Sequence, residues 1–207
     1  MNIWEFFIDR FDDIMFQTME HATIVITAMA ISIAIGATIG VLITFHRGMA
    51  RIVLNITSFL MTIPSLALFS LLIPILGIGR APAIVGLVLY TLLPVIRNVY
   101  TGIINIDPAI IEAAKGMGIS PFKIMFKIKI PLAFPVIMAG VRTAVVMGIG
   151  IGAIAAYIGA GGLGDLIFKG INRANDKMVI IGAIMVSVLT LIADKLLSIV
   201  QHRFEIK

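Results

Sequence analysis

The run ATIVITAMAISIAIGATIGVLITF, Ala22 to Phe45, carries no charged side chain and decides the fold. At about 1.5 Å per residue, twenty-odd helical residues cover the roughly 30 Å hydrocarbon core of a bilayer. Backbone polar groups must be satisfied internally there, which leaves a helix or a closed barrel. Alternating strand patterns are absent, so the helix is the reading. Four further apolar runs, at about 52–76, 83–104, 132–158 and 178–200, are each long enough to cross. Hydrophobic residues make up 60% of the chain and charged residues 13%, with a mean hydropathy of +1.11, which excludes a soluble domain. We therefore expect an all-α polytopic membrane protein, a single domain over residues 1–207 with five transmembrane helices. Pro64 and Pro74 remove backbone donors from the second run, so it is expected to kink, end early or re-enter.

Outward from the spans, residues 1–20 place Trp4, Phe7, Phe11, Ile14 and Met15 on one helical face and Glu5, Asp9, Asp12 and Asp13 on another. This pattern predicts an interfacial helix lying along the membrane surface. Its acidic start does not resemble a cleavable signal peptide, so it is expected to remain. Five spans put the two ends of the chain on opposite sides. With the N-terminus outside and the C-terminus cytoplasmic, the inner side holds Arg47, Arg51, Lys115, Lys123, Lys127, Lys129, Arg203 and Lys207. The outer side then holds Arg10, Arg80, Lys169, Arg173 and Lys177, a modest positive-inside bias. The net charge of +5 sits at span ends, not in a basic stripe, so no nucleic-acid partner is expected. With no cysteine and with His21, His46 and His202 far apart, neither a thiolate nor an imidazole metal site is expected.

The polar segment at 107–131 interrupts the apolar pattern. Asp107 before Pro108, and Ser120 before Pro121, each give a helix start, and Gly118 stands at the break between them. Two short helices joined by a sharp bend are expected. Ala113 and Ala114 leave room for another surface to approach. In the second helix Lys123 and Lys127 share a polar face, while Phe122, Met125 and Phe126 offer apolar surface. The chemistry points to a docking loop.

Glu112, Ala113, Ala114 and Gly118, followed by Ile128, Ile130 and Pro131, resemble the E-A-A, G and I-x-L-P signature of ABC importer permeases, with Ile130 where leucine is usual. The stretches Thr62 to Leu68 (TIPSLAL), Gly77 to Gly79 (GIG), Leu93 to Asn98 (LPVIRN) and Ile158 to Gly164 (IGAGGLG) are similar to the osmoprotectant branch, which imports glycine betaine, carnitine, choline or proline betaine. The resemblance implies the methionine-importer-type permease fold with cytoplasmic coupling helices, in the plasma (inner) membrane of a prokaryote. It further implies a second permease subunit, identical or paralogous, two cytoplasmic ATP-binding subunits, and an extracytoplasmic substrate-binding protein. The short stretch after Val200 leads us to expect that binding protein as a separate chain. No lysine precedes serine or threonine, so the chain has no phosphate-cradling loop, and ATP and Mg are expected in the partner ATPase. This chain is expected to be no enzyme and to hold no cofactor. Glu112 is expected to hold the loop by polar contacts and Gly118 to make its bend.

Arg97, Arg142 and Asp194 lie within spans, where an ionisable group is costly and normally faces protein, water or a partner. At the helical rise each lies roughly 9 to 15 Å from the Gly118 side of its span, so they could form one layer, with Asp194 pairing Arg142 or Arg97. Tyr90, Tyr100 and Tyr157 are candidates for a substrate path, because aromatic faces attract quaternary ammonium ions. Gly36 with Gly40, and Gly148 with Gly152, have the spacing of close helix packing. Gly159, Gly161 and Gly164 match G-x-G-x-x-G but follow a span, so a loop is expected there and not a dinucleotide site. Rival readings are a permease for methionine or another amino acid, an ion-coupled carrier, and an intramembrane hydrolase. The carrier would want mid-membrane acids, and the hydrolase a buried histidine beside its nucleophile.

Overall fold

The computed structural model describes residues 2–203, and among these every regular element is helical. Met1, at the head of the predicted lead-in, and Lys207, one of the inner-side cations, lie outside the described residues. Four helical stretches are long and apolar enough to cross a membrane: Phe11–Phe45, Arg80–Ile104, Pro121–Ile158 and Asp176–Arg203. The pair α3 (Arg47–Thr62) and α4 (Ser65–Leu76) passes the same test only jointly, and it bends by 100° at the break. The second apolar run is thus not one straight helix. The cause is local: Ile63 precedes a proline and takes extended backbone, and Pro64 follows in the same region, so helical pairing stops for two residues.

The expected interfacial helix over 1–20 is divided. Helix α1 (Ile3–Asp9) is capped by Asn2, whose side chain accepts from the Glu5 N–H while Glu5 reaches back to the Asn2 N–H. The chain turns at Arg10, and residues 11–20 begin the long helix α2 (Phe11–Leu42). The face read from the sequence omits Phe6, which is buried with Ile14, Leu166, Met178 and Ile181 in a small second core. That core also draws on α9 (Leu163–Asn172), where the sequence reading expected only a loop.

The main core is built around α5 (Arg80–Ile104), which packs between α2 and α8 (Ile130–Ala155) and is the most buried span. Small residues set these approaches. A Cβ on Gly36 would come 2.8 Å from Val95, and one on Gly40 2.6 Å from Val99, so α2 meets α5 through its glycine stripe. Gly148 and Gly152 do the same for α8 against Met29, Val25 and His21 of α2. Helix α10 (Asp176–Arg203) packs on α8 and α9 and leaves most of its apolar surface uncovered. The loop around Gly118 lies at one end of the bundle. The connections at Gly77–Gly79 and Gly159–Gly162 meet at the other, where the Gly79 N–H donates to the Ile158 carbonyl at 2.9 Å.

Candidate functional site

The polar loop forms as its caps dictate. Asp107 accepts from the Ala109 N–H at 2.8 Å and starts α6 (Pro108–Gly116) with Pro108 in its first turn. The helix closes when the Gly118 N–H bonds the Lys115 carbonyl and the Ile119 N–H bonds the Ala114 carbonyl, with Gly118 at φ +73. A side chain at Gly118 would meet open space, so the backbone conformation alone calls for glycine. Pro121 opens α7 (Pro121–Ile124), although Ser120 makes no side-chain cap.

The second helix of the loop is not separate from the span that follows. Residues 121–158 run as one helical course through a wide π turn at Met125–Lys129, where the Ile130 N–H bonds the Met125 carbonyl. Pro131, which has no N–H to give, falls just after that change of register, which is how the course passes a proline. Ile124 and Met125 are buried beneath the loop, while Phe122 and Phe126 are 71% and 52% exposed with ring centroids 4.6 Å apart. Ala114 is buried and Ala113 exposed, Ile128 and Ile130 are half-buried, and Pro131 is exposed. A cleft of about 510 Å³, lined by Phe45, Lys115, Gly118, Pro121 and Lys129, opens beside the bend. A polar cleft of about 580 Å³ holds Arg47, Tyr100, Glu112, Lys115 and Lys129.

Glu112 departs from its expected role. Its side chain is exposed and bonds to no described residue, so the loop is held by its caps and by Ala114, Ile124 and Met125 beneath it. The exposed carboxylate shares the polar cleft with Arg47, Lys115 and Lys129.

Of the three in-span charges, Arg142 and Asp194 pair, and Arg97 has another partner. Arg142 grips Asp194 with two parallel bonds, Nε to Oδ1 at 2.9 Å and Nη2 to Oδ2 at 3.0 Å, and its Nη1 donates to Gln201 at 3.0 Å. Arg97 is exposed and donates to Ser58 of α3 at 3.2 Å. The reason is helical phase: Asn98, the next residue, is the one facing α8, where a Cβ on Gly140 would strike it.

The tyrosines do not converge either. Tyr90 is buried and donates its hydroxyl to the Ile63 carbonyl at the α3–α4 break. Tyr100, about 15 Å further along α5, lines the polar cleft near Gly118. Tyr157 is 64% exposed at the far end, edge-on to Phe168.

Two adjacent residues were given no role by the sequence reading. Glu20 binds Arg80 and the Gly162 N–H, and buried His21 lies with Nε2 3.0 Å from the Ile149 carbonyl. The signal was the placement of a carboxylate and an imidazole side by side at the head of a charge-free run, a costly arrangement unless both are partnered.

Residues 32–206 match the family described as binding-protein-dependent transport system inner membrane component. The chain is 43% identical over 194 residues to the osmoprotectant import permease protein OsmW of Salmonella typhimurium, covering 91% of this chain and 88% of that one. It is 38% identical over 191 residues to the choline transport system permease protein OpuBB of Bacillus subtilis, covering 92% and 88%. It is also 38% identical over 198 residues to the carnitine transport permease protein OpuCB of Listeria monocytogenes, covering 96% and 91%. Among solved structures it superposes on a chain of the inward-facing MetNI methionine ABC transporter with TM-score 0.76 at 23% identity, covering 90% of this chain and 95% of that one, a likeness of fold. The loop geometry, the helical bundle and these matches together place the chain in the family of binding-protein-dependent transport system inner membrane components.

Proposed function

We propose that this chain is the membrane permease of an ATP-driven importer for osmoprotectants such as glycine betaine, carnitine and choline, working by alternating access. The observation that carries the coupling role is the loop at 107–131: a capped two-helix bend with the Phe122–Phe126 ring pair and Glu112 exposed at one end of the bundle. Because α7 continues into α8, a push on the loop reaches the span without a flexible joint. Glu112, Ala113, Ala114, Gly118, Ile128, Ile130 and Pro131 are the residues assigned to the contact with the ATP-binding subunit. ATP and Mg belong to that partner, and two permease chains, two such partners and an extracytoplasmic binding protein complete the machine. The cargo class is supported by the names of the curated relatives, whereas the methionine-importer likeness extends only to fold. The loop faces the cytoplasm, with the N-terminus outside and the C-terminus inside.

The test is reconstitution with the cognate ATP-binding subunit and binding protein in proteoliposomes. ATP-dependent uptake of labelled glycine betaine, carnitine or choline is expected. Gly118→Asp, which sets a carboxylate on the exposed bend at the centre of the proposed docking surface, should abolish both subunit capture and uptake. Capture and uptake both surviving would refute the coupling role, and uptake of amino acids alone would refute the cargo.

A further inference from the structure

Away from the loop, one turn of α2 joins three other parts of the bundle. The Glu20 carboxylate takes Arg80 at the head of α5 on Oε1 at 2.5 Å and the Gly162 N–H on Oε2 at 2.7 Å. The adjoining His21, 1% exposed, reaches the Ile149 carbonyl of α8. The same 158–162 turn accepts the Gly79 N–H through Ile158, so the connection leading from the broken α3–α4 pair is fastened there too. Glycine permits these approaches. A Cβ on Gly161 would strike the Glu20 carboxylate, and one on Gly162 would stand 3.0 Å from the His21 Cα.

The character of this junction differs from that of the bundle. Between helix bodies, valines fill glycine notches along several turns, a contact that separates only by unpacking. At the Glu20 junction the elements are held by an ion pair exposed on its arginine side and by single hydrogen bonds to backbone groups. The arginine side chain is 55% exposed and the carboxylate 19%, so water reaches the pair from the Arg80 side and the fastening can part without unpacking a helix face.

We propose that Glu20 is a positioning residue for transport: with Arg80 and the Gly162 N–H it fastens the end of the bundle opposite the coupling loop, and it lets go when the path opens on that side. The inference rests on the alternating-access reading above. Weakening a fastening made in the closed state alone shifts the population toward the open state by the free energy that fastening supplied, and ATP turnover then requires less from the binding protein.

The measurement is the ratio of binding-protein-independent ATP hydrolysis to binding-protein-driven uptake in the reconstituted complex. Glu20→Gln and Arg80→Gln should each raise that ratio threefold or more. Arg80→Lys, which keeps the ion pair and leaves the Gly162 bond to Glu20 in place, should stay near the wild-type value. If both glutamine variants lower hydrolysis and uptake together with the ratio unchanged, the junction is a static staple and the proposal fails. Should Glu20→Gln not assemble, Arg80→Gln decides alone, since Arg80 is more than half exposed and its replacement leaves the Gly162 bond in place. Hydrolysis without the binding protein requires no solute, so an incorrect cargo assignment would leave this half of the ratio readable and would show itself separately as absent osmoprotectant uptake.

Discussion

At the scale of single residues, the Arg142–Asp194–Gln201 contact is the clearest case of an apolar environment dictating pairing. Losing the acid would leave the Arg142 guanidinium inside its span with Gln201 alone, where an arginine at a helix centre costs about 2.5–3.5 kcal/mol on insertion scales. Asp194→Ala should therefore lower the detergent-solubilised melting temperature and membrane yield, and Arg142→Asp with Asp194→Arg should recover much of both; a swap no better than the singles would show that the pair contributes little. Tyr90 acts differently. Its hydroxyl satisfies the Ile63 carbonyl, which the proline-imposed break would otherwise leave without a helical partner. Tyr90→Phe should cost about 1–2 kcal/mol, measurable by thermal unfolding, with a larger fall in uptake than in assembly if the α3–α4 angle matters to the path. The sequence marked these side chains as unusual because charge and aromatic hydroxyls inside spans are few. It could not pick Arg142 over Arg97, since that choice depends on which helix lies across from each residue.

At the scale of elements, the helix termini were legible because caps are local. Asp107–Pro108, Gly118 and Pro121 stand where their chemistry places them, while Pro131 is passed by a π turn that no residue type announces. The kink at Pro64 was foreseeable, but its 100° angle follows from what α4 packs on. Gly86 provides that seat: a Cβ there would come 2.6 Å from fully buried Phe69. Gly86→Val should displace α4 and cost about 1–3 kcal/mol of overpacking, seen as a lower melting temperature and loss of uptake. Unchanged stability would mean that α4 is loosely seated. Helix α9 was missed because its glycines and charges read as a loop, and its apolar side, with Leu163 and Leu166 buried and Ile167 against Gly182, shows only once its neighbours are in place.

At the scale of the molecule, the loop and the Glu20 junction mark opposite ends of one bundle, so the proposed orientation can be tested with the native absence of cysteine. A single Arg173→Cys should react with a membrane-impermeant maleimide on intact cells, and a single Lys123→Cys only after permeabilisation; the reverse pattern would invert the topology. The sequence by itself determined the solvent, the helical class, the approximate spans, the caps of the loop and, through its motifs, the family. Those properties are additive along the chain: apolar length, local backbone preference and turn chemistry act over a few residues. Only the tertiary structure decided that the second run turns by 100° and seats Phe69 on Gly86, that Asp194 belongs to Arg142, that the tyrosines stand apart, and that Glu20 and His21 gather α5, α8 and the 158–162 turn. Each of these depends on which faces of distant helices meet, and in a membrane that choice is made by small-residue notches and pairings whose partners lie many residues apart in sequence.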